Sequence, residues 1–214
     1  MSLENLIQTR ADLWRGRTPS PTARDGISSG FAGLDALLPG AGWPRDALVE
    51  VLAEGPGRGG LDLVMPAVAR LSRGDRWVAL ISPPLMPYAP GWAGAGVNLS
   101  HLLLVHAGDE QERLWALEQA LRSGVCSAVL SWAGNLRPER LRRLQLAAET
   151  GGATGFLFRP PSAARSPSPA HLRVRATPRA QGLEVRVLKC RGGWPAGPLR
   201  LDAPAGLVPF RKHA

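Results

Sequence analysis

Five short apolar runs alternate with stretches of helical periodicity between residues 48 and 158, and this alternation constrains the fold more than any other feature. The runs are Leu48–Leu52, Trp77–Ser82, Leu102–His106, Ala128–Trp132 and Gly155–Phe158. Each is bounded by Gly, Pro or polar residues, as expected of strands buried on both faces of a parallel sheet. Helices are expected between them. One covers about 61–72. Another covers 109–123, with Asp109, Glu110 and Glu112 suiting its positive N-terminus and Leu114, Leu117 and Leu121 forming its buried stripe. A third covers 138–150, opening on Pro138, with Leu141, Leu144 and Ala148 inward and Arg140, Arg142 and Arg143 elsewhere. Strand and helix in alternation mean an α/β fold with a mostly parallel central sheet and helices on both faces.

The pattern changes after residue 159. Residues 171–177 and 183–189 alternate apolar with mostly polar or charged side chains around a short turn, which predicts an antiparallel hairpin extending the sheet. The expected organisation is an N-terminal helix at 1–15, a linker at 16–26, the α/β core at 27–159 (opening with a short helix over Phe31–Leu38), a mobile loop at 160–170, and a hairpin extension with a basic tail at 171–214. The loop, rich in Pro and Ser, lacks the apolar residues to pack a core of its own. With 44% hydrophobic and 20% charged residues, the chain is globular rather than disordered. Two cysteines, Cys126 and Cys190, exclude a disulfide scaffold and a four-thiolate metal site. No apolar run approaches the roughly 18 residues of a membrane span, and the N-terminus lacks a signal core, so a cytoplasmic protein without a membrane partner is expected.

The turn between the first strand and its helix is where a phosphate-binding loop would sit. Such a loop needs backbone N–H groups at a helix N-terminus, a Lys for the β- and γ-phosphates, and a Ser or Thr hydroxyl for Mg²⁺. Here Glu54 is followed by Gly55, Pro56, Gly57, Arg58, Gly59 and Gly60, then Leu61 and Asp62. Lys, Ser and Thr are all missing, Pro56 removes a donor, and Glu54 and Asp62 bring negative charge. The strand that should end in a metal-holding carboxylate ends in Ser131 and Trp132. The phosphate loop is therefore read as degenerate, with no nucleotide cofactor. His101, His106, His171 and His213 lack metal-ligand spacing, and no Ser–His–Asp or Cys–His arrangement presents itself. No catalytic residue, metal or enzyme activity is expected.

Ile27–Asp35, then Gly42-Trp43-Pro44-Arg45, then Leu48–Val51 resemble the opening of a RecA recombinase core. More closely, the chain resembles the ImuA family of RecA-like proteins. The stretches that carry this are Leu13–Arg17, Gly30–Gly40, Gly42–Pro44, Pro87–Pro90, Leu114–Gly124, Leu141–Glu149 and Leu188–Gly193. The resemblance implies a RecA-like core and a non-enzymatic adaptor of SOS-induced, error-prone translesion DNA synthesis. The implied partners are an ImuB-like inactive Y-family polymerase homologue and an error-prone polymerase, with RecA and DNA as further partners. Gly59 and Gly60 stand where RecA would carry Lys and Thr, which removes the warrant for ATP-driven assembly. The cell-division inhibitor SulA, which binds FtsZ, shares the shortened core and is the alternative; a RecA-like ATPase is the second.

Charge is unevenly spread. Residues 1–136 hold 11 Arg against 13 Asp and Glu, whereas residues 137–214 hold 13 Arg and 2 Lys against 4 acids. A basic half marks a surface for nucleic acid or an acidic partner. On the expected hairpin, Arg173, Arg175, Arg186, Lys189 and Arg191 are the candidates, with a solvated sheet face as the alternative for the same residues. Trp14 and Arg15, beyond the linker, are candidate anchors for a partner; the alternative is a helix folded back on its own sheet. Trp77, Trp115 and Trp132 are expected to pack in the core, and Trp92 and Trp194 to lie in helix ends or loops.

Overall fold

The computed structural model describes residues 25–55 and 59–202. The expected N-terminal helix, most of the linker, Trp14, Arg15, Gly57, Arg58 and the basic tail from residue 203 lie outside the described residues. The elements run α1 (Ala32–Asp35), β1 (Leu48–Leu52), α2 (Gly60–Leu71), β2 (Trp77–Ile81), α3 (Ala89–Gly94), β3 (Leu102–Val105), α4 (Glu110–Arg122), β4 (Cys126–Trp132), α5 (Pro138–Gly151), β5 (Thr154–Arg159), β6 (Leu172–Pro178), β7 (Leu183–Cys190) and β8 (Ala196–Leu201).

All eight strands form one sheet in the order β3-β2-β4-β5-β1-β6-β7-β8. The pairings from β3 through to β6 are parallel; β7 and β8 are added antiparallel. β1, apolar but for Glu50 and buried along its whole length, sits between β5 and β6. Strand periodicity divides the core in two. Val49, Val51, Phe156 and Phe158 face α2 and Trp43 on one side; Leu48, Val129 and Leu157 face α4 and α5 on the other.

Local signals account for the helix ends. Asp109 caps α4 by accepting from the Glu112 N–H at 2.8 Å, while Glu112 accepts from the Gly108 N–H at 2.8 Å. α5 begins on Pro138 and ends at Gly152, whose left-handed φ of 63° terminates it. Leu117 and Leu121 are buried as the helical spacing predicts, with Leu114 at the margin.

The segment 160–170 differs from its expected mobility. Pro161–Arg165 forms a 3₁₀ helix, and Ala163 and Ala170 are buried. Arg173 donates to the Ser166 and Ala163 carbonyls at 3.0 and 2.7 Å, and Lys189 donates to the Ser168 carbonyl at 2.6 Å. A stretch with too few apolar groups to fold alone is thus pinned by cations from the sheet beneath it. The tryptophans also differ. Trp115 is 65% exposed and Trp77 41%, whereas Trp92, near the end of the short helix α3, is buried at 7%. No helix among the described residues is long and apolar enough to cross a membrane.

Candidate functional site: a basic sheet face and a degenerate phosphate loop

The register of β6 against β7 decides what the hairpin cations form. Arg175 pairs across from Arg186, and Arg173 across from Lys189. β8 then places Arg200 opposite Glu184. The apolar residues of these strands, Val174, Ala176, Val185 and Val187, face the core, so the cations share the opposite face. Like charges directly opposite on neighbouring strands are destabilising, and two such pairs sit side by side here.

One of these cations is not available to a partner. Arg173, expected from the alternation to be part of the exposed surface, is buried at 6%. Its Nε lies 2.5 Å from Glu50 Oε2, a close ion pair without the alignment of a hydrogen bond. Arg159 closes on the other oxygen of Glu50 and donates its Nε–H to the Gly134 carbonyl at 3.1 Å. Glu50 is thus a fully buried carboxylate between two buried guanidiniums. Alternation does put Arg173 and Arg175 on one face, but the 160–170 segment covers the Arg173 end of it.

The remaining candidates are graded by exposure. Arg175 is half-buried; its Nη2 reaches the Pro161 carbonyl at 3.5 Å and its buried Nε has no hydrogen-bond partner among the described residues. Arg186 is exposed. Lys189 is half-buried, and its pKa is lowered chiefly by burial and then by the Arg173 charge. Arg191 is exposed at the end of the hairpin, 4.0 Å from Glu149. Beside it, burial, then the Arg191 and Lys189 charges, lower the pKa of His171, against an opposing effect of Glu149.

The phosphate-loop position lies at the C-terminal ends of β1, β4 and β5. Gly55 has a φ of 77° and open space around it. Gly59 caps α2 with a φ of 84°, and its N–H donates to Asp62 Oδ2 at 3.1 Å, so the helix's own carboxylate takes a donor that a phosphate would use. A Cβ at Gly59 would meet Pro178 at 3.1 Å, and one at Gly60 would meet Ala53 and Phe158, each at 3.1 Å. Trp132 and Phe158 stack with centroids 4.9 Å apart at the neighbouring strand ends. Among the described residues no three His, Cys, Asp or Glu side chains gather as a metal site would require.

Comparison with known proteins bears on this arrangement. The family "Cell division inhibitor SulA" matches residues 53–155. The "Protein ImuA" of Caulobacter vibrioides is 33% identical over 228 aligned residues, covering 91% of this chain and 90% of that protein. The chain belongs to the ImuA family. A "Cell division inhibitor SulA" of Edwardsiella piscicida is 31% identical over 140 residues, covering 64% of this chain and 83% of that protein. The ImuA family is thus related to SulA. The crystal structure of SulA from Pseudomonas aeruginosa, 31% identical, covers 52% of this chain and 96% of its own, with a TM-score of 0.45. The SulA family match runs from the end of β1 to the start of β5, and so lies outside the basic hairpin.

Three residues of this ImuA-family site are not among the candidates that the amino-acid order suggests. Glu50 has a signal, a lone acid in an otherwise apolar strand. Arg159 has a weaker one, a cation ending the apolar run Gly155–Phe158. Arg200 has none, because β8 contains Gly197 and Pro198, residues that argue against a strand except at a sheet edge.

Proposed function

We propose that this protein is a non-enzymatic, RecA-like adaptor in DNA-damage-induced translesion synthesis, working by surface contact with an ImuB-like inactive polymerase homologue and with DNA. The observation that carries the reading is the reach of the ImuA likeness, 91% of the chain, where the SulA family match stops at residue 155. The strand order supports a RecA-type core, with the degenerate loop leaving a central strand for a helix on one face. The lack of Lys, Ser and Thr in this turn supports the absence of turnover. A triphosphate there would meet Asp62 and find no Lys or hydroxyl at Gly59 and Gly60, which pack against Pro178 and Phe158.

The basic face supplies the contact surface. Arg175 and Arg186 oppose each other without a carboxylate between them, and an anionic partner relieves that repulsion. The test is co-purification from damaged cells with a polymerase-like partner, followed by the Arg175→Glu/Arg186→Glu variant. Retention by the wild type and loss by the variant is the expected result. The second reading, a division inhibitor, is favoured by the likeness to the Edwardsiella protein and predicts filamentous cells and FtsZ binding on overexpression. Filaments with no polymerase partner would replace the adaptor reading.

A further inference from the structure

We propose that the groove between α4 and α5 is a docking site for an acidic amphipathic helix of a partner protein, with Trp115 as its anchor. This gives the adaptor reading a second surface, distinct from the basic sheet face, and rests on that reading.

The groove is a cavity of about 210 Å³ between two helices that pack side by side on one face of the sheet. Its floor is Leu114 and Leu144, its α4 wall Trp115 and its α5 wall Arg140 and Arg143. Trp115 lies 65% exposed although α4 has its own buried stripe in Leu117 and Leu121. Exposed Trp beside Arg is the composition of an interface hot spot. A groove between two packed helices receives a third helix whose apolar residues recur every three or four positions.

Charge decides the occupant. Glu118, inside the groove, is already held by Arg143 at 2.7 Å and by Arg122 at 3.4 Å. Arg140, which lines the groove near the start of α5, is exposed and has no ion-pair partner among the described residues. The α5 wall thus has a cation to spare, and a carboxylate on the incoming helix satisfies it. A second copy of this chain would bring the same arginines against themselves. Residues 1–15 carry Glu4 and Asp12 against Arg10 and Arg15, with no acidic excess to offer. A nucleic-acid strand needs a run of free cations along its track, and on the α4 side Arg113 is paired with Glu110 and Arg122 with Glu118.

The experiment pans a displayed library of amphipathic helical peptides, about 18 residues or five turns each, on the full chain. Enriched peptides are then measured against Trp115→Ala, Arg140→Glu and Arg140→Ala. Both side chains are exposed, and a thermal melt matching the wild type shows that each variant is folded. The expected result is selection of peptides with acidic residues flanking an apolar stripe, weakened about tenfold or more by Trp115→Ala and by Arg140→Glu, with Arg140→Ala between. Neutral or basic peptides, binding indifferent to both positions, or no enrichment over the Trp115→Ala control would overturn the proposal. So would capture of a labelled single strand of about 20 nucleotides that Trp115→Ala abolishes, since that assigns the groove to base stacking. A polymerase partner that co-purifies equally with wild type and all three variants removes this groove and leaves the adaptor reading standing.

Discussion

Glu50 is the residue on which the basic half depends. Two buried guanidiniums share its carboxylate, and removing one member of a buried ionic group leaves uncompensated charge. Glu50→Gln is expected to lower stability by about 3–5 kcal/mol in urea titration. Replacing Glu50, Arg159 and Arg173 together by apolar residues of similar volume should recover most of that loss, because the desolvation cost disappears with the charges. The cysteines give a second prediction. Burial pushes the Cys190 thiol up to about 11, and it raises Cys126 as well, against weaker opposing effects of Ser123 and Arg76. The thiolate is the reactive form, so alkylation by iodoacetamide at pH 8 should be far slower in the native protein than in urea. His171 adds a pH dependence. Its folded pKa lies below the ordinary 6.5, so between the two values the unfolded chain binds more protons. Stability from this group is present above about pH 6.5 and falls as pH drops through the folded value. His171→Gln should flatten that part of a pH–stability curve.

At the scale of elements, most of the architecture is legible in the amino-acid order. β1 runs over Leu48–Leu52 as expected, and α2, α4 and α5 fall within a residue or two of their expected bounds, because each has a periodic apolar face and a recognisable start. β8 is not legible, since Gly197 and Pro198 carry no strand signal and only an edge position tolerates them. The order of the 160–170 segment is hidden as well, because it comes from Arg173 and Lys189, whose long side chains reach back over the sheet. Nothing local announces such a contact. Of the candidate site, the set of hairpin cations is legible and its register is not, so the burial of Arg173 emerges only from the folded sheet. The phosphate loop tests the packing argument directly. Gly59→Lys with Gly60→Thr restores the missing residue types, yet is expected to destabilise the fold and to leave Mg-ATP binding undetectable by calorimetry. Gly59 holds a φ of 84°, and Pro178 and Phe158 occupy the approach.

On the scale of the whole molecule, the two sheet edges have different characters. β3 ends the sheet with Leu102–Val105, uncharged, with Leu103 and Leu104 both exposed. β8 ends it beside the basic face. A chain with a net charge of +9, all of its excess from residue 137 onward, should bind heparin or single-stranded DNA with strong salt dependence. Replacing Arg175 and Arg186 together by Ala should reduce the slope of log K against log salt on single strands by about 0.7 for each phosphate that is no longer neutralised. An unchanged slope would place the nucleic acid on some other surface.

The position of β1 in the sheet sets a timetable for synthesis. Its backbone partners are β5 and β6, more than a hundred residues further along the chain. A ribosome that has translated α2, β2 and β3 therefore holds a first strand with neither neighbour yet made. Pairing across such separations is slow because a long loop must close before any contact repays it. Until the final third of the polypeptide emerges, this first strand has only chaperones or other nascent chains to meet, and the speed of translation becomes part of how this sheet is assembled.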